Sequence, residues 1–301
     1  MTTSSARENG PHQMTLRTYQ PPWLDTVGIT DEVHALSAWW ARPQRLRRAV
    51  TAYQRLLAVT PACIAYAFTL FVTWWTLRGA SDLVGRRLIL SASTNLKNMQ
   101  RDPIQVLLAS AFWTEGGGFP WGDIMILLTL MALAERWLGS LRWILVVAIG
   151  HIGATLITVV GISHAVQKDL IPFRVTVASD VGPSYGISTM LAVLAFRLRG
   201  YPRLLWATGL LLWYGYGVWK GRTFTDYGHF SALIIGFAVG GIAVLISRRL
   251  LAWRESSARR ATEKAAVTLL PDRVETAPVA LQEPDGRLDH AGGDRAQYGH
   301  Q

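Results

Sequence analysis

Cysteine and acidic charge are scarce in this chain, and its longest apolar runs contain almost no charge at all. Its 301 residues include one cysteine, Cys63, which rules out an intramolecular disulfide framework and any cysteine-based metal site. Cys63 lies inside an apolar run and reads as a small buried hydrophobe. Charged residues are only 17% of the chain against 50% hydrophobic, and the 13 tryptophans are many for this length, so the composition is that of a membrane protein rather than a soluble core. Residues 1–56 are polar, with no early apolar segment, so no cleavable signal peptide is expected and the first membrane helix must direct insertion. No repeat of solenoid period is present. The net charge of +10 comes from arginines clustered beside apolar runs, where membrane orientation and anionic lipid account for them without a nucleic-acid partner.

What is present is a series of apolar runs. They predict six membrane helices at about 57–77, 121–134 (reaching Trp137), 141–162, 181–196, 204–219 and 228–247. The fold expected is an all-α, polytopic bundle of six transmembrane helices over residues 56–250. Residues 1–55 form a cytoplasmic N-terminal segment, with an interfacial part where Trp39-Trp40 stand beside Arg42, Arg45, Arg47, Arg48 and Arg55. Residues 251–301 form a cytoplasmic, largely disordered tail, after a short basic helix and with Pro271, Pro278 and Pro284. The connection 78–119 is expected to be a partly embedded loop with short amphipathic helices, too long for a simple linker. Of the lysines and arginines, 21 fall on the side of the two termini and 9 on the other, which puts both ends in the cytoplasm, in a cell membrane.

That topology sends the fourth and sixth helices inward from the same outer face. Ser184 is then expected about one turn inside the fourth helix, and His229 at matched depth in the sixth. A hydroxyl becomes a useful nucleophile when an imidazole within hydrogen-bond reach takes its proton, and ionisable groups inside a membrane usually line a cavity. Backbone N–H groups at the start of the fourth helix would face an oxyanion at Ser184, with Gly182 a further candidate and Pro183 unable to donate. Asp226, one turn before His229, could orient the ring or cap its helix; Asp180 reads as a cap for the fourth helix. Asp123 is open between helix cap, oxyanion group and proton path. His151 reads as a packing or polar-network histidine, and Gly236-xxx-Gly240 as a helix-packing step. No cofactor or metal is implied.

These residues resemble the rhomboid family of intramembrane serine proteases. Gly182-Pro183-Ser184-Tyr185 is similar to the Gly-x-Ser-x at the head of that family's fourth helix. His229 with Ala232 and Gly236 resembles its sixth-helix histidine and following small residues, and Glu135 to Gly139 its Glu-x-x-x-Gly. The resemblance covers roughly residues 55–250. It implies cleavage of transmembrane segments of other membrane proteins by a Ser184/His229 dyad. The family's His-x-x-x-Asn, which helps to bind the oxyanion, is replaced by Phe119 and Asp123. Tyr185 stands in place of a small residue, and Ser188 where many members carry an aromatic that packs on the histidine. Alternatives that remain open are a catalytically inactive protein that binds or escorts transmembrane helices and, more weakly, a small transporter. The oligomeric state is unknown.

Overall fold

A computed structural model describes residues 21–40, 44–115 and 118–269. The expectations for Arg42, for Gly116-Gly117 and for the tail with Pro271, Pro278 and Pro284 fall outside these residues. The described chain is all-α and divides into two compact units between Ala252 and Trp253. Two helices are long and apolar enough to cross a membrane, Ser140–Gln167 and Phe224–Ala265. Arg45–Ala58 with Pro61–Arg78 makes a third if that pair, bent by 88°, is taken as one span.

The elements run α1 (Ile29–Trp40), α2 (Arg45–Ala58), α3 (Pro61–Gly79), α4 (Asp82–Ala92), α5 (Leu96–Arg101) and α6 (Pro103–Ser110). A broken helix follows, α7 (Trp121–Ile126), a π-helical turn (Leu127–Met131) and α8 (Ala132–Leu138). Then come α9 (Ser140–Gln167), α10 (Ser184–Leu194), α11 (Tyr201–Gly221) and α12 (Phe224–Leu269). Several boundaries differ from those read off the sequence. The first apolar helix starts at Pro61 rather than 57, because proline fits the first helical position and Thr60 ends the preceding turn. The third helix runs on to Gln167, five residues past its expected end, since polar Ser163 and His164 do not break a helix. The fourth is shorter than expected, 11 residues closed by a 3₁₀ turn at Ala195–Arg197. The sixth is not followed by a separate basic helix but continues to Leu269, as no Gly or Pro interrupts it after Gly241. The loop 78–119 does hold short helices, α4, α5 and α6.

Side chains from α3, the broken helix, α9 and α10 share one core, including Cys63, Leu70, Met131, Trp143 and Met190, and Cys63 is fully buried as expected. Its polar centre is Glu135, also fully buried. The Glu135 carboxylate accepts from the N–H groups of Ala62 (2.9 Å) and Cys63 (2.7 Å) and from Ser140 Oγ (2.6 Å). It thus serves the free N–H groups of the first turn of α3 and binds the α8–α9 turn to them.

Replacing Glu135 by alanine leaves the buried Cys63 N–H without an acceptor, at about 1–3 kcal/mol, and the part-buried Ala62 N–H and Ser140 hydroxyl at less. Glu135→Ala should lower the thermal midpoint in detergent strongly, and Glu135→Gln, which keeps one acceptor, by clearly less. A midpoint unchanged in Glu135→Ala would show that this carboxylate does not hold α3 and α8 together.

Candidate functional site

The site begins with the packing of α10. Residues Tyr185 to Met190 are all buried, with α9 on one side and α12 on the other. A Cβ at Gly236 would lie 2.2 Å from the Thr189 carbonyl oxygen and 2.7 Å from Ala192 Cβ, so only glycine lets α12 come this close. Thr189 Oγ1 donates across the same seam to the Ala232 carbonyl at 2.8 Å. Higher up, a Cβ at Gly228 would meet the Tyr185 hydroxyl at 2.2 Å; lower down, Gly240 faces Phe196. Contacts that rise together along both chains mean that the two helices run parallel, with Ser184 and His229 at one end and at one level.

Ser184 is the first residue of α10 rather than lying a turn inside it, because Pro183 occupies the N-cap position. The N–H groups of the first helical turn precede the first bond of the helix, Ile187 N–H to Pro183 O, and point past Ser184. Asp180 does not cap α10. Its carboxylate accepts from Thr94 Oγ1 (3.0 Å) and the Tyr185 hydroxyl (3.1 Å), its N–H donates to Ser93 Oγ (2.6 Å), and its carbonyl accepts from the Thr94 N–H (3.0 Å). Gly182 has φ +133°, a conformation that glycine takes cheaply, and its N–H donates to the Ser110 carbonyl at 2.8 Å. That N–H is therefore spent on the loop and is not available to an oxyanion. Ser110 Oγ in turn meets His151 Nε2 at 3.0 Å, and the same nitrogen meets the Leu107 carbonyl at 3.2 Å. Both contacts tie the ring to α6, and His151 is the network histidine the sequence suggested.

Among the described residues no hydrogen bond joins Ser184 Oγ to His229. The imidazole is half-buried, with Tyr185 edge-on at 5.1 Å between centroids and Tyr214 at 6.3 Å. Tyr214 also meets Ser188 Oγ at 2.8 Å, and Ser188 Oγ donates to the Ser184 carbonyl at 2.8 Å. The aromatic missing at Ser188 is thus supplied by Tyr185 and by Tyr214 of α11. Neither role was read from the sequence: Tyr185 was noted only as a departure, and nothing in the pattern of α11 separates Tyr214 from its aromatic neighbours. Asp226 is engaged at the start of α12, where its Oδ2 accepts from the N–H (3.1 Å) and Oγ1 (2.6 Å) of Thr223 while its own N–H donates to Thr223 Oγ1 (3.1 Å). This is a reciprocal capping box, legible as Thr223-x-x-Asp226. Phe119 packs on Trp74 (4.8 Å) and Trp121 (4.4 Å), and Asp123 stands within electrostatic reach of Tyr66, with no hydrogen bond to Ser184 or His229 among the described residues.

A profile of the family described as rhomboid-like protein matches residues 55–248. The chain belongs to that family. No curated protein and no solved structure matches it. The matched stretch of this rhomboid-like chain runs from the end of α2 into α12 and contains the α10–α12 seam, the Asp180 clasp and the Glu135 cap.

Burial pushes the Asp180 carboxyl above its ordinary range, against the opposing pull of the Thr94 and Tyr185 hydroxyls. Glu115 is raised as well, by burial and by the charge of Asp180. A carboxyl raised in the folded state contributes stability that is full below its unfolded pKa and is lost as the pH rises through its folded one. As the pH rises from the ordinary carboxylate range, near 4, towards neutrality, the stability of the wild type should therefore fall relative to Asp180→Asn. Thermal midpoints of the two proteins in detergent across that range test this, and a constant difference would mean that Asp180 does not titrate in the window.

Proposed function

We propose that this rhomboid-like chain is an intramembrane serine endopeptidase that cleaves transmembrane segments of other membrane proteins near their outer ends. The observation that carries the reading is the register of the seam between α10 and α12, in which Tyr185 faces Gly228 and Thr189 faces Ala232. With residues 185 and 228 in contact, residues 184 and 229 belong to the same level of two parallel helices. The proposed topology has six transmembrane helices, with the broken helix, α10 and α11 joining the spans that pass by length and hydropathy. Both ends are cytoplasmic, and the bilayer is the protein's solvent.

Ser184 Oγ attacks the scissile carbonyl as His229 takes its proton, which gives a tetrahedral oxyanion facing the free N–H groups of the first turn of α10. His229 then returns the proton to the leaving amine. Water, deprotonated by the same ring, hydrolyses the acyl-enzyme and frees Ser184. Tyr185 and Tyr214 stand beside the imidazole. Apo geometry is often looser than that of a Michaelis complex, so the absence of the bond at rest is compatible with the role. The substrate helix must unwind locally, because a regular helix shields its carbonyls.

A second reading, a non-catalytic protein that binds transmembrane helices, is favoured by three observations: the unjoined Ser184 and His229, the Gly182 N–H bonded to Ser110, and Phe119 with Asp123 in place of the oxyanion side chains. A fluorophosphonate probe on purified full-length protein separates the two. The protease labels in the wild type and not in Ser184→Ala, and His229→Ala slows labelling by about 10²–10⁴-fold. A folded wild type that takes no label at Ser184 would leave the binding protein as the reading.

A further inference from the structure

A cavity of about 580 Å³ lies between α9, the loop that follows it and the start of α12. Its walls are Ile157, Gly161 and Ala165 of α9, Pro172 of the following loop, and Phe224 and Ser231 of α12. At its mouth stands Arg222, in the turn between α11 and α12. From Ala165 down to Ile157 the helix rises about 12 Å, most of the roughly 15 Å of hydrocarbon in one leaflet. Phe224 to Ser231 descends in the opposite chain direction over about 10 Å, so the cavity is a slot that runs from the membrane surface inward between the two longest apolar helices.

Lining and depth point to the occupant. The apolar walls and a depth of about 12 Å, close to that of one leaflet, suit flexible hydrocarbon chains. Charge selects the head. Arg222 has φ 52°, a left-handed conformation unusual for a side-chain-bearing residue, and its Nε donates to the Trp219 carbonyl at 3.3 Å. Among the described residues no carboxylate pairs with this guanidinium, since Asp226 is engaged by Thr223. The result is a cation with no ion pair among the described residues, held by the backbone at the lining of an apolar slot.

We propose that this slot is a lipid site that takes the acyl chains of an anionic phospholipid, with the phosphate bound by Arg222. It rests on the membrane-embedded arrangement but not on the chemistry of Ser184 and His229. The substitution that tests it is unusually clean. Gly161 lines the slot and a Cβ there would meet no atom within 4 Å, so a side chain can be introduced at this position without a clash at its first carbon. Full-length protein is equilibrated with vesicles of equal phosphatidylglycerol and phosphatidylcholine and re-isolated, and its retained lipid is counted by mass spectrometry. The wild type should keep phosphatidylglycerol preferentially. Gly161→Phe should lose the retained lipid at least tenfold, and Gly161→Ala, which leaves the slot open, should keep it. Arg222→Gln should still hold lipid but lose about fivefold of its preference for phosphatidylglycerol. Full retention by Gly161→Phe, an unchanged preference in Arg222→Gln, or loss of the preference to millimolar inorganic phosphate alone would each overturn the site. The same counts in Ser184→Ala protein separate a failure here from a failure of the proposed protease.

Discussion

The close approach of α12 to α10 governs everything else in this molecule. In the membrane-embedded arrangement proposed for this chain, lipid would offer no hydrophobic drive for one apolar helix to prefer another, and association would come from tight contact and from the few hydrogen bonds that cross. Gly228, Ala232, Gly236 and Gly240 recur every fourth residue and make one smooth stripe, into which Tyr185, Thr189, Ala192 and Phe196 settle. The Thr189 to Ala232 bond fixes the sliding position that van der Waals contact alone would leave soft. Since the stripe fixes register, it also fixes the relative height of residues 184 and 229. A displacement by one helical turn would move one of them about 5 Å along the other.

The second constraint is that backbone groups at helix ends and in loops need partners where water is scarce. The chain meets it with side chains from distant segments. Glu135 serves α3 from across 72 residues of sequence, and Ser93, Thr94 and Ser110 serve the segment before α10 from the loop that precedes it by about 70 to 90. In consequence the loop 78–119 is a built part of the site, since Asp180, Gly182 and thus the start of α10 are set by it. The clasp also explains why the Gly182 N–H cannot do two things. Positioning the turn consumes the donor that the sequence offered to an oxyanion.

The legible parts were those that local chemistry determines. Apolar runs marked the helices, Gly182-Pro183-Ser184 marked the start of α10, and small residues after His229 marked a packing face. Helix ends were misplaced where the deciding interaction is distant or merely absent: nothing local stops α12 at Arg248, and α3 starts at Pro61 with the help of Glu135. Asp180 and Asp226 looked alike as acidic residues before apolar runs, yet one bonds to a loop about 85 residues away and the other to Thr223, three positions back. Only the second had a local signature, the Thr-x-x-Asp spacing.

Tyr185, Ser188 and Tyr214 make one connected set of contacts around His229. A tyrosine directly after the serine would collide with most side chains at residue 228, and there the chain has glycine, whose hypothetical Cβ would sit 2.5 Å from the ring of Tyr185. The ring so admitted lies edge-on to the imidazole and sends its hydroxyl to Asp180, so that a single side chain joins the histidine to the clasp at the start of α10. Ser188, too small to reach the imidazole, instead bridges the Ser184 carbonyl to Tyr214, which brings a second ring beside His229. Two aromatics stand beside the histidine, Tyr185 carried by α10 itself and Tyr214 tied to that helix through Ser188 Oγ, so the surroundings of His229 are fixed by the helix that carries Ser184.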